Sequence, residues 1–251
     1  VVRSQRLLVD GHGSLEERQF VALYGRNLGG KEYRTAAYDF STTPVADRLM
    51  TGYYGEPRTW KRIRAAEDGF FRDDALGGGY AFLSWDSPGD SVLLLEAIGQ
   101  SAAFVNGEPR AGDPYSYGKL SLPVRVRAGR NEILLPCGRG QVKVTLTPPS
   151  KPLFLDTKDL SLPNLLVGEE TKSWGAITVV NATRLPASLL RIGTCVGGGK
   201  ERISREFSLV ELSARKCAFP LETDEPWEAE GDEPLRVRLY AGDPGGRRVL
   251  D

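Results

Sequence analysis

The sequence predicts an all-β protein made of β-sandwiches, and three observations support this. The 29 glycines and 16 prolines interrupt the chain roughly every eight to twelve residues from Trp60 onward, which is the spacing of strands and turns in a sandwich or barrel. The runs between these interruptions are short and alternate apolar with polar residues. Little of the chain beyond Trp60 has the length or period that an amphipathic helix needs.

The clearest alternating runs span residues 120–127 and 142–147. In the second run, Val142, Val144 and Leu146 are separated by polar residues, so a side-chain period of two places all three on one face of a strand. We expect both strands to be buried on one side only. The continuous apolar runs at 92–95 and 133–135 instead predict central strands that are covered on both faces.

Two turns divide these strands. Val105-Asn106-Gly107-Glu108 contains Asn-Gly, the strongest short hairpin signal, because both central residues of a type I′ turn need a positive φ. Ala128-Gly129-Arg130-Asn131 predicts a second turn of similar kind. Together the strands and turns predict a β-meander from about Tyr80 to Leu146.

Three prolines within residues 148–152 mark the best domain boundary, because proline lacks a backbone N–H and favours extended chain. We expect residues 153–170 to be connecting chain. A further set of predicted strands follows, over residues 176–180, 189–196, 203–212, 216–221 and 235–240. About 95 residues with this many strands fit a sandwich of immunoglobulin or fibronectin type.

The N-terminal stretch shows less order. Ser14-Leu15-Glu16-Glu17 is typical of a capped first helical turn, so one short helix is expected there, while residues 25–55 show no clear period. This stretch forms either edge strands of the central sandwich or a small subdomain. The predicted organisation is therefore an extension at 1–59, a central module at 60–150 and a C-terminal module at 151–251.

The composition excludes some partners. With 33 basic and 33 acidic residues, the chain lacks the basic excess that nucleic acid binding needs. No apolar run approaches the ~20 residues of a membrane span, and no signal pattern opens the chain. Cys137, Cys195 and Cys217 form no metal-binding motif. They are either buried free thiols, or Cys195 and Cys217 form one disulfide.

The turns and strands of the central module resemble the galactose-binding-like jelly rolls attached to many secreted glycoside hydrolases and esterases. The resemblance rests on the Asn-Gly hairpin, Gly112-Asp113-Pro114-Tyr115, Leu122-Pro123-Val124 and the turn at 128–133. It also takes in Asp68-Gly69-Phe70-Phe71 and Gly79-Tyr80-Ala81-Phe82, which look like opening strands of the same module. These residues match the family in positions that determine the fold, and the resemblance assigns none of them to ligand binding.

The C-terminal module is similar to immunoglobulin-like accessory domains, whose first strand matches Trp174-Gly175 and the stretch 179–183. The order of modules resembles the segment preceding the catalytic domain in large bacterial hydrolases, including prolyl-oligopeptidase-like and esterase-like proteins. The predicted fold class is thus a jelly-roll β-sandwich followed by an immunoglobulin/fibronectin-like β-sandwich. The resemblance further implies a secreted or cell-surface bacterial protein.

The sequence offers no credible catalytic constellation. A serine–histidine hydrolase needs an imidazole, and the only histidine is His12, which we expect to lie in a loop. No GxSxG elbow is present, because the stretch 99–103 lacks the closing glycine. No cofactor is expected. Jelly rolls of this kind often hold structural calcium, yet no loop here has densely spaced Asp and Asn residues.

If the central module binds a sugar, an aromatic platform must stack on the sugar's C–H face while polar groups hold its hydroxyls. The first candidate group is Arg110, Asp113, Tyr115 and Tyr117, and the second is Trp60, Tyr53 and Tyr54. The structural alternative for the first group is that the tyrosines pack over the end of the sandwich while Asp113 caps a turn with Pro114 at its second position. Trp85 and Trp174 are expected in the core or between sheets.

Three functional hypotheses remain. The first is a non-catalytic, carbohydrate-binding-like accessory region that supports or targets a hydrolase acting on carbohydrate, with a glycan and a catalytic domain as partners. The second is a structural protein of the cell surface that assembles with copies of itself through edge strands. The third is a complete hydrolase that depends on His12.

Overall fold

The computed structural model describes residues 6–9, 44–47, 49–51, 57–77, 79–226, 234–242 and 248–251. The chain divides into two compact units. One comprises residues 1–120 and 124–148, and the other comprises residues 121–123 and 149–251. Both units are built from antiparallel sheets, which confirms the all-β fold class.

The strands of the first unit are β1 (Arg6–Val9), β2 (Leu49–Thr51), β3 (Pro57–Thr59), β4 (Lys61–Arg64), β5 (Phe70–Arg72), β6 (Tyr80–Ser87), β7 (Ser91–Ile98), β8 (Ala102–Val105), β9 (Glu108–Ala111), β10 (Leu122–Val126), β11 (Gly129–Pro136) and β12 (Gln141–Thr147). The first two residues of β10 fall within the 121–123 segment of the other unit. A 3₁₀ turn, Asp74–Leu76, joins β5 to β6. One sheet has the order β4-β1-β6-β11-β8-β9 and the other β10-β7-β12-β5, while β2 and β3 pair separately.

From β6 to β12 the chain passes back and forth between these two sheets, and only β8 and β9 are neighbours joined by a hairpin. The predicted meander is therefore wrong, because consecutive strands of a meander pair with one another. The unit is a jelly-roll sandwich. The predicted Asn-Gly hairpin is confirmed, with φ of 51° at Asn106 and 85° at Gly107. The second predicted turn instead carries the chain from β10 in one sheet to β11 in the other.

The hydrophobic pattern places the strands as expected in two cases. Ile133, Leu134 and Leu135 are fully buried on β11, which is an interior strand, so the prediction of a strand covered on both faces is confirmed. Along β12, Val142 and Val144 are buried and alternate with partly exposed residues. β1 lies inside its sheet, between β4 and β6, rather than at the edge.

The buried side chain of Asn131 ties the two turns of this unit together. It is fully buried, and its Nδ2 donates to the carbonyl oxygens of Arg127 and Gly129 at 2.8 and 2.9 Å. Its Oδ1 accepts from Arg127 N and from Asn106 Nδ2, both at 2.9 Å. Asn106 Oδ1 in turn accepts from the backbone N–H of Glu132 at 2.9 Å. The β8–β9 hairpin and the turn between β10 and β11 are thus held in one polar network.

The strands of the second unit are β13 (Leu153–Ser161), β14 (Lys172–Asn181), β15 (Ala187–Val196), β16 (Arg202–Ile203), β17 (Phe207–Leu209), β18 (Ser213–Glu222), β19 (Leu235–Ala241) and β20 (Arg248–Val249). A sheet of order β13-β14-β18 faces a sheet of order β16-β15-β19-β20, to which β17 adds by pairing with β15. This is an immunoglobulin-like sandwich. β13 corrects the expectation of connecting chain, since residues 153–161 form a nine-residue strand.

The core of the second unit explains why its cysteines are unpaired. Cys217 lies in the buried apolar cluster together with Ile192 and Phe219. Cys195 lies on β15 three residues after Ile192, so strand alternation turns its side chain away from that cluster. All three cysteines are free and buried, and the disulfide alternative is wrong.

Candidate functional site

The loop at residues 112–120, which follows β9, is organised by one buried carboxylate. Asp113 is 5% exposed. Its Oδ1 accepts from Tyr117 N at 3.0 Å, its Oδ2 accepts from Gly118 N at 2.7 Å, and its own N–H donates to the carbonyl of Gln100 at 2.8 Å. Both carboxylate oxygens are therefore used within the loop. Asp113 therefore positions the loop, and its direct contact with a ligand stays a prediction.

The start of the loop is a tight turn. Ser116 N donates to the carbonyl of Asp113 at 3.0 Å, which places Pro114 at the second position, where its fixed φ suits a turn. Gly112 precedes this turn at a close backbone approach, because a Cβ there would lie 2.1 Å from the carbonyl carbon and oxygen of Ser101. Only glycine fits at that position.

Tyr115 and Tyr117 project from this loop into solvent. They are 64% and 69% exposed, so they do not pack over the end of the sandwich as the structural alternative required. Their ring centroids are 5.7 Å apart and the ring planes are inclined by 26°, which is a stacked pair. The Arg139 guanidinium lies 5.9 Å from the Tyr115 centroid, and the Lys119 ammonium lies 5.8 Å from the Tyr117 centroid. The loop presents an aromatic surface with a cation over each ring.

Arg110 is committed to its own strand. Its Nη2 donates to Glu108 Oε2 at 3.0 Å and its Nη1 donates to the carbonyl of Pro109 at 2.9 Å. The side chain is mostly covered, and its Nε is buried without a partner among the described residues. The structure brings the two tyrosines together on one loop and places the polar contacts of Arg110 on β9.

In the second predicted group, Trp60 does not form an aromatic platform. This residue is 1% exposed and belongs to the core, so no ring face is open to a sugar and the assignment is wrong. Tyr53 and Tyr54 lie outside the described residues, as do His12 and the predicted helix.

A separate polar cavity of about 760 Å³ opens in the first unit, lined by residues 64–69, Glu96 and residues 143–145. On its wall, Asp68 accepts two hydrogen bonds from Arg72 at 2.6 and 3.0 Å. These bonds, together with one from Phe70 N, lower the pKa of Asp68 to about 2. A carboxyl with this pKa is ionised at neutral pH and cannot act there as a general acid.

Trp174 lies at the surface, being 62% exposed, so its expected place in the core or between sheets is wrong. On β14, Gly175, Ile177 and Val179 are buried, so the even-numbered residues from Lys172 to Thr178 point outward. Trp174 shares that face with Lys172. The alternation of residue types along this stretch of sequence is the signal that indicates its exposure.

The described ranges hold neither a metal-binding cluster nor a membrane span. Within them, no group of three or more His, Cys, Asp or Glu side chains could hold a metal ion. No helix in the same ranges is long and apolar enough to cross a membrane.

No protein family model and no curated protein sequence matches this chain. Among solved structures, a candidate beta-galactosidase from Bacteroides fragilis is similar at 16% identity and a TM-score of 0.35, over 69% of this chain and 31% of that one. A beta-glucuronidase from Bacteroides uniformis is similar at 12% identity and a TM-score of 0.33, over 69% and 25%. A GH2 beta-galacturonidase from Eisenbergiella tayi is similar at 13% identity and a TM-score of 0.32, over 83% and 42%.

This chain therefore spans less than half the length of the solved structures that it resembles. Their TM-scores all lie below 0.5.

Proposed function

We propose that this chain is a non-catalytic accessory region that binds carbohydrate through the 112–120 loop and so supports or targets a hydrolase acting on carbohydrate. The observation that carries the proposal is the exposed, stacked pair of Tyr115 and Tyr117. The catalytic centre belongs to another domain or to a partner chain. We expect the protein to work outside the cell or at its surface.

The chemistry of the loop suits a sugar. A pyranose ring presents C–H groups on its faces and hydroxyls around its edge, so it is recognised by an aromatic face together with a few polar groups. Tyr115 and Tyr117 supply the aromatic surface and two phenolic hydroxyls. Arg139 lies over the Tyr115 ring and Lys119 over the Tyr117 ring, and both supply N–H donors for sugar hydroxyls.

The loop is also organised in advance of binding. The carboxylate of Asp113 fixes the backbone of Tyr117 and Gly118 through two hydrogen bonds. A loop that is already ordered loses less conformational entropy when a ligand arrives. Stacking between the two rings stabilises their paired arrangement by a further ~0.5–1.5 kcal/mol. The exposed pair is therefore a fixed platform.

Affinity electrophoresis in gels containing soluble polysaccharides tests the proposal. We expect the parent chain to be retarded, and Tyr115→Ala/Tyr117→Ala to be retarded clearly less than the parent. The matched control is Tyr115→Phe/Tyr117→Phe, which keeps the rings and should retain most of the retardation. Equal retardation of the alanine variant and the parent, or no retardation of the parent by any polysaccharide, would refute the proposal.

Asp113→Ala provides a second test of the same site. This variant keeps both rings but leaves the N–H groups of Tyr117 and Gly118 without their acceptor. We expect weaker retardation than in the parent, because the platform then has to be ordered during binding. Retardation equal to that of the parent would show that the carboxylate does not organise the platform.

A further inference from the structure

The outer face of the three-stranded sheet in the second unit carries an exposed tryptophan next to a shallow floor. Trp174 lies on β14 opposite Pro220 of β18. In the next row along the sheet, Ala176 lies opposite Ala218 on one side and Ser161 of β13 on the other. These three side chains are short, so the surface beside the indole ring is low.

Polar groups border this floor on both sides. Beyond the small residues, Lys216 Nζ contacts Asp159 Oδ2 at 2.7 Å and Ser161 Oγ at 2.8 Å. On the other side of Trp174, Lys172 lies opposite Glu222 in the register of the two strands. Rows two residues apart are separated by ~6.5 Å along a strand. The floor and its borders thus span about 20 Å, from the Lys172 row to the Lys216 row.

The charges at these borders are paired. Lys172 contacts Glu170 at 3.3 Å and Glu222 contacts Arg202 at 3.1 Å, while Lys216 is paired with Asp159. The positive and negative groups on this face therefore balance, and the face offers hydrogen-bonding groups without a net charge. This arrangement complements a neutral polyhydroxylated ligand better than a polyanion, whose binding requires an excess of cations.

The area of the apolar patch argues against a second copy of the chain as the occupant. Among the residues of β13, β14 and β18, all of which the structure describes, Trp174 is the one exposed large hydrophobic side chain. A tryptophan buries about 150–250 Å², whereas a stable interface buries roughly 800 Å² on each partner. A single pyranose or a short oligosaccharide matches the smaller area.

From these observations we propose that Trp174, with the floor of Ala176, Ala218 and Ser161, forms a second saccharide-binding site for a neutral glycan. The indole stacks on a sugar ring while the side chains of Lys172 and Lys216 donate to its hydroxyls. The site uses none of the residues of the 112–120 loop. It therefore stands or falls separately from the function proposed for that loop.

The test uses the full chain and three neutral soluble polysaccharides, namely a β-glucan, a galactan and a xylan. Affinity is measured for the parent and for variants Tyr115→Ala/Tyr117→Ala, Trp174→Ala and Ala218→Gln. We expect at least one of these polysaccharides to bind more weakly to Trp174→Ala, by roughly tenfold or more. Ala218→Gln fills the floor without removing the indole and should weaken binding in the same way. Val210→Ala, which truncates a residue 69% exposed elsewhere in this unit, is the matched control and should bind as the parent does.

The outcomes separate the two proposals. Binding lost in the tyrosine variant but unchanged in both Trp174→Ala and Ala218→Gln would overturn the second site and leave the first. Binding lost in those two variants but unchanged in the tyrosine variant would overturn the first site and leave the second. A parent that binds none of the polysaccharides would overturn both. A dimer, detected by light scattering and dissolved by Trp174→Ala without any loss of glycan affinity, would show instead that this face is a protein interface.

Discussion

Replacement of the buried Asn131 by alanine should destabilise the first unit selectively. The substitution removes four hydrogen bonds, two donated and two accepted by the side chain. A typical hydrogen bond contributes about 1 kcal/mol net, and a buried group left without its partner costs about 1–3 kcal/mol. We therefore expect the free energy of unfolding of this unit to fall by about 3–5 kcal/mol, which is at the upper end for a single substitution.

The second unit offers a matched control. Asn181 is also fully buried, and its Nδ2 donates to the carbonyls of Leu185 and Val210, both at 2.9 Å. Its Oδ1 accepts from the backbone N–H and the hydroxyl of Thr183. Asn181→Ala should therefore lower the stability of the second unit by a similar amount.

Native-state hydrogen exchange resolves the two effects, because it reports opening free energies peptide by peptide. Asn131→Ala should speed exchange across β10 and β11, and Asn181→Ala across β14 and β15. A loss below about 1 kcal/mol for Asn131→Ala would refute the assigned network. For the Asn131→Ala variant, a larger increase in exchange over the parent in β14 and β15 than in β10 and β11 would refute the selectivity.

Three further outcomes follow from the same contacts. Gly112→Ala should destabilise the first unit by roughly 2–4 kcal/mol in urea unfolding, since its Cβ would meet the carbonyl of Ser101. Arg72→Gln should raise the pKa of Asp68 from about 2 towards 3.8 in a carboxyl NMR titration. Because the folded pKa is depressed, the stabilising effect of this pair is present above about pH 3.8 and is lost as the pH falls towards 2. The variant should lose the part of that dependence that Arg72 provides, while the bond from Phe70 N remains. Burial raises the pKa of the Cys217 thiol, so alkylation there should be slow until the chain unfolds.

Much of the fold could be predicted because its determinants are local. The positive φ of Asn106 and Gly107 follows from residue type, and the burial of Ile133–Leu135 follows from a continuous apolar run. The order of strands within the sheets could not be obtained in this way. A two-residue period shows that a strand has a buried face without indicating which strands pair beside it.

The site was predictable only in part, for similar reasons. Aromatic and turn residues in one loop indicate Tyr115 and Tyr117, whereas the burial of Trp60 depends on long-range packing that composition does not reveal. The carboxylate of Asp113 has the chemistry of a ligand-binding group, yet its place before Pro114 favours a turn-capping role. For Trp174, the apolar residue type favours the core, while its position in the alternation of β14 determines that it is exposed.

Saturation-transfer NMR between the chain and a bound oligosaccharide tests the central claim most directly. With irradiation of the aromatic protons, the C–H protons of the sugar should receive saturation. The saturation that the exposed tyrosine pair transfers to the sugar should disappear in Tyr115→Ala/Tyr117→Ala and persist in the phenylalanine control. Two results would contradict a carbohydrate platform on this loop. One is transfer that is unchanged in the alanine variant. The other is a parent that shows no transfer to oligosaccharides of any polysaccharide that retards it in the gel.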